Sequence, residues 1–476
     1  MFLKRLYDDR LAQASFLVGC ATAGEAVVID PNRDAEQYLA AAAAEGARIT
    51  RITETHIHAD FVSGSRELAA RTGATMLLSR EGGPDWQYAF AAGDGATLIG
   101  EGSQFAVGSV RFDVIHTPGH TPEHLTFLVT DTPASDRPVG AFTGDFIFAG
   151  DVGRPDLLER AANVAGTMES SARELFRSLC RFQSLPEYLQ LWPGHGAGSA
   201  CGKSLGAMPQ TTLGYERLAN WAFHLSDEDA FVREVLAGQP EPPRYFAEMK
   251  RMNRDGPPVI GAFALPPRMD AARLGPLLGS RALVIDTRRA ERFAAGHVPR
   301  TINIPLTRSF STYAGSLLPY DAPFYLIVDD DVPGAAERAV RDLAMIGLDR
   351  AAGVFAADAL SAWSSGGRPL ERVPQIDVRE ASRRSRGGEL TVLDVRDRAE
   401  WDEGHPQGAV HIPLGELPER YSELPKSRPL VVLCQSGSRS AIAASLLLAH
   451  GYSEVLNGPG GFSEWTLAAL PADRPK

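Results

Sequence analysis

One segment in the C-terminal half of the chain occurs twice, and this repeat limits the possible folds more than any other feature. Its landmarks recur at a constant offset of 108 residues: Asp286 with Asp394, His297 with His405, and Pro305 with Pro413. A fixed offset over several landmarks indicates two copies of one domain. We place the copies at residues 259–372 and 373–476, after a Pro-rich linker at residues 255–258. Residues 1–256 are expected to form a separate domain.

Composition and charge narrow the classes of function. A net charge of -11 and a pI near 5.6 argue against a general affinity for nucleic acid or anionic membranes, since both select basic surfaces. No apolar run is long enough to span a bilayer, and the N-terminus lacks the apolar core of a signal peptide. The four cysteines, none in a Cys-x-x-Cys spacing, indicate free thiols in a reducing compartment. We therefore expect a cytoplasmic protein.

Residues 1–256 carry metal-capable side chains where strand-like runs end. The run at residues 48–52 is followed by His-x-His-x-Asp, in which alternate side chains share one face of an extended backbone. Further His and Asp residues follow other apolar runs, and a loop could fold the set around one ion. The alternative, a polar turn, is reasonable for a single His but less so for a series. The candidate residues are His56, His58, Asp60, His120, Asp145 and His195.

In this order the motifs resemble the metallo-β-lactamase superfamily. They are Thr-His-x-His-x-Asp at residues 55–60, Thr-Pro-Gly-His-Thr at 117–121, Thr-Gly-Asp at 143–145 and Pro-Gly-His-Gly at 193–196. The resemblance covers about residues 1–256. It implies an α/β fold, an αββα sandwich of two mixed sheets with helices outside and metals at one edge.

One position departs from the dinuclear zinc hydrolases of this superfamily, such as glyoxalase II. Those enzymes carry His directly after the Asp of His-x-His-x-Asp, whereas this chain has Phe61, whose ring cannot bind a metal. The remaining set resembles the persulfide dioxygenases, which implies a single Fe(II) held by His56, His120 and Asp145. Two imidazoles and one carboxylate leave open positions for O₂ and a thiolate-type substrate.

The same resemblance gives the other candidate residues a role around the metal. His58, Asp60 and His195 become pocket residues that orient ligands or hold water, or else a vestigial hydrogen-bonded cluster. Arg154 lies in the stretch Gly-Arg-Pro-Asp at residues 153–156, and this stretch is similar to one in the persulfide dioxygenases. It is expected to clamp a substrate carboxylate, to support the site through Asp156, or to form a purely structural pair.

Cys201 lies on a glycine-rich loop at residues 196–203, six residues after His195. We expect this loop to border the mouth of the site, where Cys201 carries or relays a persulfide. The alternative is a buried small residue, which is the commoner role for cysteine.

Both copies of the repeat resemble rhodanese domains, small α/β units with a central parallel sheet. In the second copy the apolar run at residues 430–433 leads into Cys434-Gln-Ser-Gly-Ser-Arg439 and then a helical run. Backbone N–H groups and the helix N-terminus would stabilise a thiolate or persulfide at Cys434. Four residues separate Cys434 from Arg439, against five in the similar loop of cysteine phosphatases, which favours a sulfur-sized cargo. Cys434 and Arg439 are the predicted catalytic pair.

The first copy lacks this cysteine. After the run at residues 324–328 the chain has Asp329, Asp330 and Asp331. Carboxylates cannot form a persulfide and would repel an anionic substrate. We predict that residues 259–372 are catalytically silent and serve spacing or docking.

Along its full length the chain resembles the persulfide dioxygenase–rhodanese fusions of bacterial sulfide detoxification. The resemblance implies oxidation of a low-molecular-weight thiol persulfide by O₂ to sulfite, followed by sulfur transfer to give thiosulfate. It also implies self-association into a homo-oligomer. Two alternatives remain: a thioester hydrolase of the glyoxalase II kind, with iron or zinc, and a non-catalytic sulfur carrier using Cys434. The thiol itself, whether glutathione, coenzyme A, bacillithiol or cysteine, stays open.

Overall fold

The computed structural model describes residues 1–157, 159, 166–199, 201–203 and 205–474. The chain divides into two units, one of Met1–Ala262 with Ala344–Gly347 and the other of Phe263–Leu343 with Leu348–Lys476. Among the described residues, no helix is both long and apolar enough to cross a membrane.

Two six-stranded sheets form the centre of the first unit. In the first sheet the strands lie in sequence order, antiparallel from β1 to β3 and parallel from β3 to β6. Its strands are β1 (Phe2–Asp8), β2 (Gln13–Cys20), β3 (Glu25–Ile29), β4 (Arg48–Thr53), β5 (Thr75–Ser79) and β6 (Thr97–Ile99). The second sheet has the order β12-β11-β10-β9-β8-β7, antiparallel except for β10 beside β11. Its strands are β7 (Gln104–Val107), β8 (Val110–His116), β9 (Leu125–Asp131), β10 (Gly140–Gly144), β11 (Gln190–Pro193) and β12 (Thr211–Thr212).

The apolar residues of these strands form three layers of core. In β2, Phe16 and Val18 belong to the core between the two sheets, whereas Leu17 packs on the other side beneath helices. This alternation follows from the two-residue period of a strand, and burial on both faces explains the almost unbroken apolar runs. The predicted αββα sandwich is therefore confirmed. Among the described residues, the helices of the unit include Ala35–Ala44, Ser65–Thr72, Met168–Phe182, Leu213–Ala219, Glu228–Leu236 and Phe246–Asp255.

The second unit contains two four-stranded sheets, and all neighbouring strands within each are parallel. The first sheet has the order β14-β13-β15-β16 and the second the order β19-β17-β20-β21, so the arrangement is the same. Identical strand order is what the 108-residue repeat predicts. The strands are β13 (Leu283–Asp286), β14 (Ile302–Asn303), β15 (Phe324–Val328), β16 (Ala351–Ala356), β17 (Thr391–Asp394), β18 (His405–Pro406), β19 (Val410–His411), β20 (Leu430–Leu433), β21 (Val455–Asn457) and β22 (Ala472–Asp473).

Helices follow the strands in both copies, as expected for units with parallel sheets. In the first copy they are Leu274–Gly279, Ala290–Ala295, Phe310–Leu317, Ala335–Ala344 and Asp358–Ser365. In the second copy they are Val378–Arg386, Arg398–Glu403, Leu417–Arg420, Ser438–Ala449 and Gly461–Leu467. The short strands β18 and β22 form a separate antiparallel pair.

Candidate metal centre and cysteine loop

Three buried side chains from different strand ends converge in the first unit. His56 follows β4, His120 lies in the turn after β8, and Asp145 follows β10 directly. Nε2 of His56 is 3.9 Å from Oδ2 of Asp145, and Nε2 of His120 is 3.5 Å from the same oxygen. The ligand-capable atoms of all three lie within 4.8 Å of one another, a spacing that suits one ion. The predicted ligand set is thus brought together.

Hydrogen bonds fix the tautomers of both histidines. Thr55 Oγ1 donates its proton to Asp30 at 2.9 Å, so the same oxygen accepts the bond from Nδ1–H of His56, also 2.9 Å long. His120 donates its Nδ1–H to the backbone carbonyl of Arg154 at 3.2 Å. In each ring the Nε2 lone pair therefore faces Asp145, which is the arrangement of a metal-binding imidazole.

The acidic member of the set fits a cation. Both carboxylate oxygens of Asp145 are buried and have no hydrogen-bond partner among the described residues. A buried carboxylate without partners is costly, and a bound cation would remove that cost. Burial, together with the neighbouring histidines, lowers the pKa of His56 well below its ordinary value, and burial lowers the pKa of His120. Both rings are thus kept neutral, as metal binding requires.

A second cluster lies beside the first. Nε2 of His195 is 3.4 Å from Asp60 Oδ2 and 3.5 Å from Asp145 Oδ1, while its Nδ1–H donates to the carbonyl of Ala12 at 3.0 Å. The thiol of Cys201 completes a group whose ligand-capable atoms lie within 4.8 Å of one another. Two of the predicted pocket residues, Asp60 and His195, are therefore adjacent to the metal set.

Cys201 lies inside this cluster instead of at its border. The residue is 2% exposed, and burial raises the pKa of its thiol well above the ordinary value, with the carboxylates of Asp60 and Asp145 adding to the effect. The expected position at the mouth of the site is not what the structure has, because the loop folds inward at this point. Residue 200 of the same loop lies outside the described residues. A neutral thiol suits the alternative of a buried small residue.

His58 packs on His56, with ring centroids 4.2 Å apart, but its Nε2 is bound to a carboxylate outside the metal set. Its Nε2 lies 3.1 Å from Asp30 Oδ1. Burial alone would lower the pKa of His58, but the carboxylates of Asp30, Glu54 and Asp60 raise it to about 9. The ring of Phe61 packs against His58 with the ring centroids 4.4 Å apart. Phe61 is fully buried, so the position directly after Asp60 is filled by an apolar ring that cannot bind a metal.

The sequence interpretation missed a histidine that positions the metal ligands. His124 accepts the backbone N–H of Asp145 at Nε2, 3.2 Å away, and its ring stacks on His56 with centroids 5.2 Å apart. Gly144, at φ 48°, leaves room for this contact, since a Cβ there would lie 2.8 Å from Nε2 of His124 and 2.4 Å from Oγ1 of Thr55. The spacing of His120 and His124 was an available signal.

Two other residues hold the loop that carries His56 and His58. Glu123 Oε1 accepts the backbone N–H of Ile57 at 2.8 Å. Asn253, from the helix Phe246–Asp255, donates to the carbonyls of His58 and Phe61 at 2.7 Å each. No local pattern around Asn253 indicates this contact, because its partners lie almost two hundred residues earlier.

Arg154 is a structural residue of the site. Its guanidinium donates to Asp156 at 3.0 and 2.8 Å and to the carbonyl of Pro240 at 2.5 Å, and the side chain is fully buried. Its own carbonyl accepts from His120. This geometry favours the structural pair among the predicted roles, with the backbone of Arg154 orienting a metal ligand.

The cysteine of the second copy lies between β20 and the helix Ser438–Ala449. The backbone N–H of Gly437 donates to Cys434 Sγ at 3.1 Å, and Sγ is 3.6 Å from Oγ of Ser440. Gly437 has φ 96°, and a Cβ there would lie 2.3 Å from the carbonyl oxygen of Pro459, so the turn requires glycine. The N–H donor and the helix N-terminus stabilise negative charge on this sulfur.

Arg439 is ion-paired with the helix Arg398–Glu403, which precedes it in the chain. Its guanidinium donates to both carboxylate oxygens of Glu400, at 2.6 and 2.7 Å, and to Asp397 at 3.0 Å. Although burial opposes it, this guanidinium lowers the pKa of the Glu400 carboxyl. The predicted catalytic arginine is thus held beside the loop by a bidentate ion pair.

In the first copy the corresponding loop has paired carboxylates. Arg292 donates to Asp329 at 2.7 Å and to Asp331 at 3.3 Å, and Arg268 donates to Asp330 at 3.2 Å. The loop contains no cysteine, as the sequence shows. Because each carboxylate has a guanidinium partner, repulsion of anions from this loop is weaker than its three charges alone suggest.

Two family models match the chain, the metallo-beta-lactamase superfamily over residues 8–195 and the rhodanese-like domain over residues 377–468. A solved metallo-beta-lactamase from Staphylococcus aureus subsp. aureus COL is 40% identical, with a TM-score of 0.67. The match covers 75% of this chain and 99% of that one. The chain belongs to the metallo-β-lactamase superfamily.

The two domains of the chain are similar to two different kinds of protein. A hydroxyacylglutathione hydrolase of Rhodospirillum rubrum is 33% identical to the metallo-β-lactamase domain over 186 residues, which is 38% of this chain and 60% of the hydrolase. A sulfurtransferase of Allochromatium vinosum is 37% identical over 105 residues, which is 22% of this chain and 98% of that protein.

The metallo-β-lactamase domain is followed in this chain by a rhodanese-like domain, and both are families of enzymes. The His and Asp cluster of the metallo-β-lactamase domain implies a metal. Together the two domains fit sulfur metabolism, since the second contains a cysteine loop of the sulfurtransferase kind.

Proposed function

We propose that the metallo-β-lactamase domain oxidises the terminal sulfur of a thiol persulfide with O₂, and that Cys434 transfers sulfur to the sulfite produced. The balanced reactions are R–S–SH + O₂ + H₂O → R–SH + SO₃²⁻ + 2 H⁺, and then Cys434–S–S⁻ + SO₃²⁻ → Cys434–S⁻ + S₂O₃²⁻. The observation that carries the proposal is the convergence of two histidine Nε2 atoms and one unpartnered carboxylate, with Phe61 excluding a ligand next to Asp60.

This donor set favours mononuclear Fe(II). His56, His120 and Asp145 would hold the ion, and Fe(II) would supply the redox chemistry by which O₂ oxidises the terminal sulfur. The protein contributes the orientation of the ligands, through Thr55 for His56 and the Arg154 carbonyl for His120. It also keeps the site buried, which protects reactive species from water.

His195 and Asp60 are proposed to handle the proton of the persulfide. Nδ1–H of His195 is bound to the carbonyl of Ala12, so Nε2 is the atom that accepts a proton. This atom lies 3.4 Å from Asp60, whose carboxylate stabilises the imidazolium that results. A persulfide deprotonated in this way is the better nucleophile and metal ligand.

The test uses the full chain, which is first loaded with Fe(II) under anaerobic conditions. O₂ uptake is followed after addition of glutathione persulfide or coenzyme A persulfide, and sulfite and thiosulfate are quantified in the same samples. Uptake together with either oxyanion is the expected result. Absence of uptake with both substrates contradicts the proposal.

The substitution Asp145→Ala separates the two halves of the reaction. We expect it to remove bound iron and O₂ uptake, because it deletes the only carboxylate of the ligand set, but to spare thiosulfate formation when sulfite is supplied. Iron content measured by mass spectrometry gives a readout besides activity. Asp136→Ala, in an exposed loop of the same domain, is the matched control. Loss of both activities in Asp145→Ala would show that the halves do not act independently.

A thioester hydrolase is the second candidate, and one observation favours it. The cluster of Asp60, His195 and Cys201 offers donors for a second ion, and dinuclear zinc sites activate water. The similarity to a hydroxyacylglutathione hydrolase supports the same reading. Zinc-loaded protein that releases acid and thiol from a glutathione thioester, without O₂ uptake, would replace the dioxygenase proposal with this one.

A further inference from the structure

Four residues of the first copy pack as part of the first unit. The segment Ala344–Gly347 belongs to that unit, although the residues on both sides of it in the chain belong to the second. It starts at the last residue of the helix Ala335–Ala344 and leads towards β16. The side chains of Met345 and Ile346 are 1% and 0% exposed. The segment is therefore tightly packed and is not a surface loop.

One carbonyl of this segment holds the histidine loop, residues 56–64. The backbone N–H of Val62 donates to the carbonyl of Met345 at 2.8 Å. Val62 is fully buried, so water cannot reach this N–H as a substitute acceptor, and loss of the carbonyl would leave a costly unpaired donor. Glu123 and Asn253 hold other backbone groups of the same loop. The segment Ala344–Gly347 is thus one of the supports of the histidine loop.

Ring contacts connect this hydrogen bond with a metal ligand. The ring of Phe61, the residue before Val62, packs on His58 with centroids 4.4 Å apart. His58 in turn packs on His56 at 4.2 Å. Interiors are close-packed, so a shift of the backbone at Val62 displaces a continuous stack of rings that ends at the ligand. Contacts around a metal ligand fix its orientation, and with it the affinity for the metal.

Arg33 anchors the start of the segment. Its buried guanidinium donates to the carbonyl of Ala344 at 3.1 Å and to the carbonyl of Pro258 at 2.8 Å. Arginine presents its donors in one rigid plane, so a single side chain ties both carbonyls to the first unit. The carbonyl of Met345, one residue further along, is thereby held in place for Val62.

Gly347 brings the end of the segment against the helix Phe246–Asp255. Its φ is 76°, and a Cβ at this position would lie 2.7 Å from Cε of Met252. The same helix carries Asn253, which binds the carbonyls of the histidine loop. A side chain at position 347 would therefore push on a helix that also supports the loop.

We propose that the segment Ala344–Gly347 is a positioning element of the metal centre, and that metal binding and the anchoring of this segment strengthen each other. The inference uses the metal set but not the reaction proposed for it. It gives the first copy, which lacks a cysteine, a task in the metallo-β-lactamase domain. Coupling between two equilibria is reciprocal, so the factor by which the anchored segment tightens metal binding is also the factor by which bound metal stabilises the anchoring.

Two glycines of the first copy provide a matched pair of variants. Gly347 and Gly367 each lie shortly after a helix, have φ of 76° and 77°, and donate their N–H at 3.0 Å to the carbonyl three residues earlier. A Cβ at Gly367 would meet no atom within 4 Å. Gly347→Leu and Gly367→Leu therefore introduce the same backbone strain, but only Gly347→Leu pushes on Met252.

The first test measures the affinity of the full chain for Co(II), which stands in for Fe(II) and is stable in air, by competition with a chelating dye. Gly347→Leu should weaken Co(II) binding about 10-fold, because contacts that orient metal ligands have effects of this size. Gly367→Leu should stay within about twofold of the unmodified chain. Equal affinities in the two variants would overturn the proposal.

A second substitution distinguishes a displaced loop from a damaged fold. Adding Met252→Ala to Gly347→Leu removes the side chain that the leucine meets, an exchange that nearly conserves volume. Most of the lost Co(II) affinity should return. The visible absorption bands of bound Co(II), which report the ligand geometry, should change in Gly347→Leu and return in the double variant. A double variant that binds as weakly as Gly347→Leu would contradict the assigned contact.

Hydrogen exchange tests the reciprocal effect in the unmodified full chain. Saturating Co(II) should slow the exchange of the amides of residues 344–348 about 10-fold, which matches the factor expected for metal affinity. The amides of residues 366–368 and of β20 should exchange at the same rate with and without metal. Exchange at residues 344–348 that ignores the metal would contradict the coupling.

These outcomes separate the inference from the proposed function. Co(II) affinity that depends on Gly347, without O₂ uptake by the Fe(II)-loaded chain, would support the positioning role and remove the dioxygenase proposal. O₂ uptake, with Co(II) affinity and exchange that ignore the segment, would do the reverse. A chain that binds no metal would overturn both.

Discussion

The two copies of the repeat have one scaffold and two different loops. In the first copy Arg288 donates to Asp286 at 2.6 and 3.0 Å, and in the second Arg396 donates to Asp394 at 2.7 and 3.0 Å. All four residues are buried. The same ion pair thus closes the end of the first core strand in both copies.

An aromatic ring stacks on a histidine at a second pair of matching positions. Phe293 lies on His297 with ring centroids 3.8 Å apart, and Trp401 lies on His405 at 3.5 Å. In both copies Nδ1–H of the histidine donates to the carbonyl of that aromatic residue. The scaffold is therefore shared in its hydrogen bonds as well as in its strand order.

The copies differ where the loop meets the neighbouring helix. In the second copy the cation, Arg439, lies at the start of the helix that follows the cysteine loop, and the helix Arg398–Glu403 carries the anion, Glu400. In the first copy the loop carries the anion, Asp329, and the helix carries the cation, Arg292. Residues 292 and 400 are themselves related by the 108-residue offset. The charges of the two ion-pair partners are therefore exchanged between the copies. The loop of the first copy stays attached to its helix although it lacks the nucleophile.

Removing the nucleophile should give the largest difference between the copies. Cys434→Ser should lower thiosulfate formation from sulfite and a persulfide by about three orders of magnitude, because a hydroxyl cannot form a persulfide. The matched change in the silent loop, Asp329→Ser, should leave the rate unaltered. The assay supplies sulfite directly and excludes O₂. Thiosulfate still formed by Cys434→Ser would mean that another cysteine carries sulfur.

The buried ion pair found in both copies should contribute equally to the stability of each copy. Arg396→Ala and Arg288→Ala each leave a buried carboxylate without its partner, at an expected cost of about 3–5 kcal/mol of unfolding free energy. Calorimetric unfolding of the full chain measures both variants. Arg379→Ala, at an exposed position, should stay within about 0.5 kcal/mol. Clearly unequal costs for Arg288 and Arg396 would show that the scaffolds are not equivalent.

The loop–helix pair of the second copy should show a characteristic pH dependence. The folded state lowers the pKa of Glu400 below its ordinary 4.5, so its stabilisation is present above that pH and is lost as the pH falls through the lowered pKa. We expect Glu400→Gln to cost about 1–2 kcal/mol at pH 7. The difference in melting temperature from the unmodified chain should shrink below about pH 4.5. A difference independent of pH would contradict this assignment.

The smallest effect is expected in the silent loop. Arg292 is half exposed, so Arg292→Glu should cost about 1 kcal/mol or less. Adding Asp329→Arg recreates the arrangement of signs found in the second copy and should recover most of that loss. A coupling energy near zero in the double-mutant cycle would show that this ion pair does not stabilise the first copy.

Much of the metal site could be predicted from the sequence, because its ligands follow strands. Six His and Asp candidates were predicted because each follows a strand-like run, and the resemblance to persulfide dioxygenases then selected His56, His120 and Asp145, which follow strands of both sheets. The burial of Cys201 was not predicted, since the course of a glycine-rich loop depends on tertiary contacts. The prediction for Phe61 came from its departure from the motif of the dinuclear hydrolases, and the structure packs this ring on His58.

The residues that hold these ligands in place were harder to find. Asp30 and His124 act through hydrogen bonds to residues of other strands, which leave no periodic pattern in the chain. The same holds for the second copy, where the loop spacing predicted Cys434 and Arg439 but gave no partner for the arginine. Glu400 lies 39 positions earlier, and only the fold brings it to the guanidinium.

The contact of Asn253 with the carbonyls of His58 and Phe61 also bears on the order of events during synthesis. His58 and Asn253 are 195 positions apart, and the helix that carries Asn253 lies beyond residue 195, where the family model ends. At about 5–20 residues per second, a ribosome needs roughly 10–40 s to proceed from one to the other. For that interval the nascent histidine loop lacks its clamp, so tight metal binding has to wait until the helix Phe246–Asp255 has emerged.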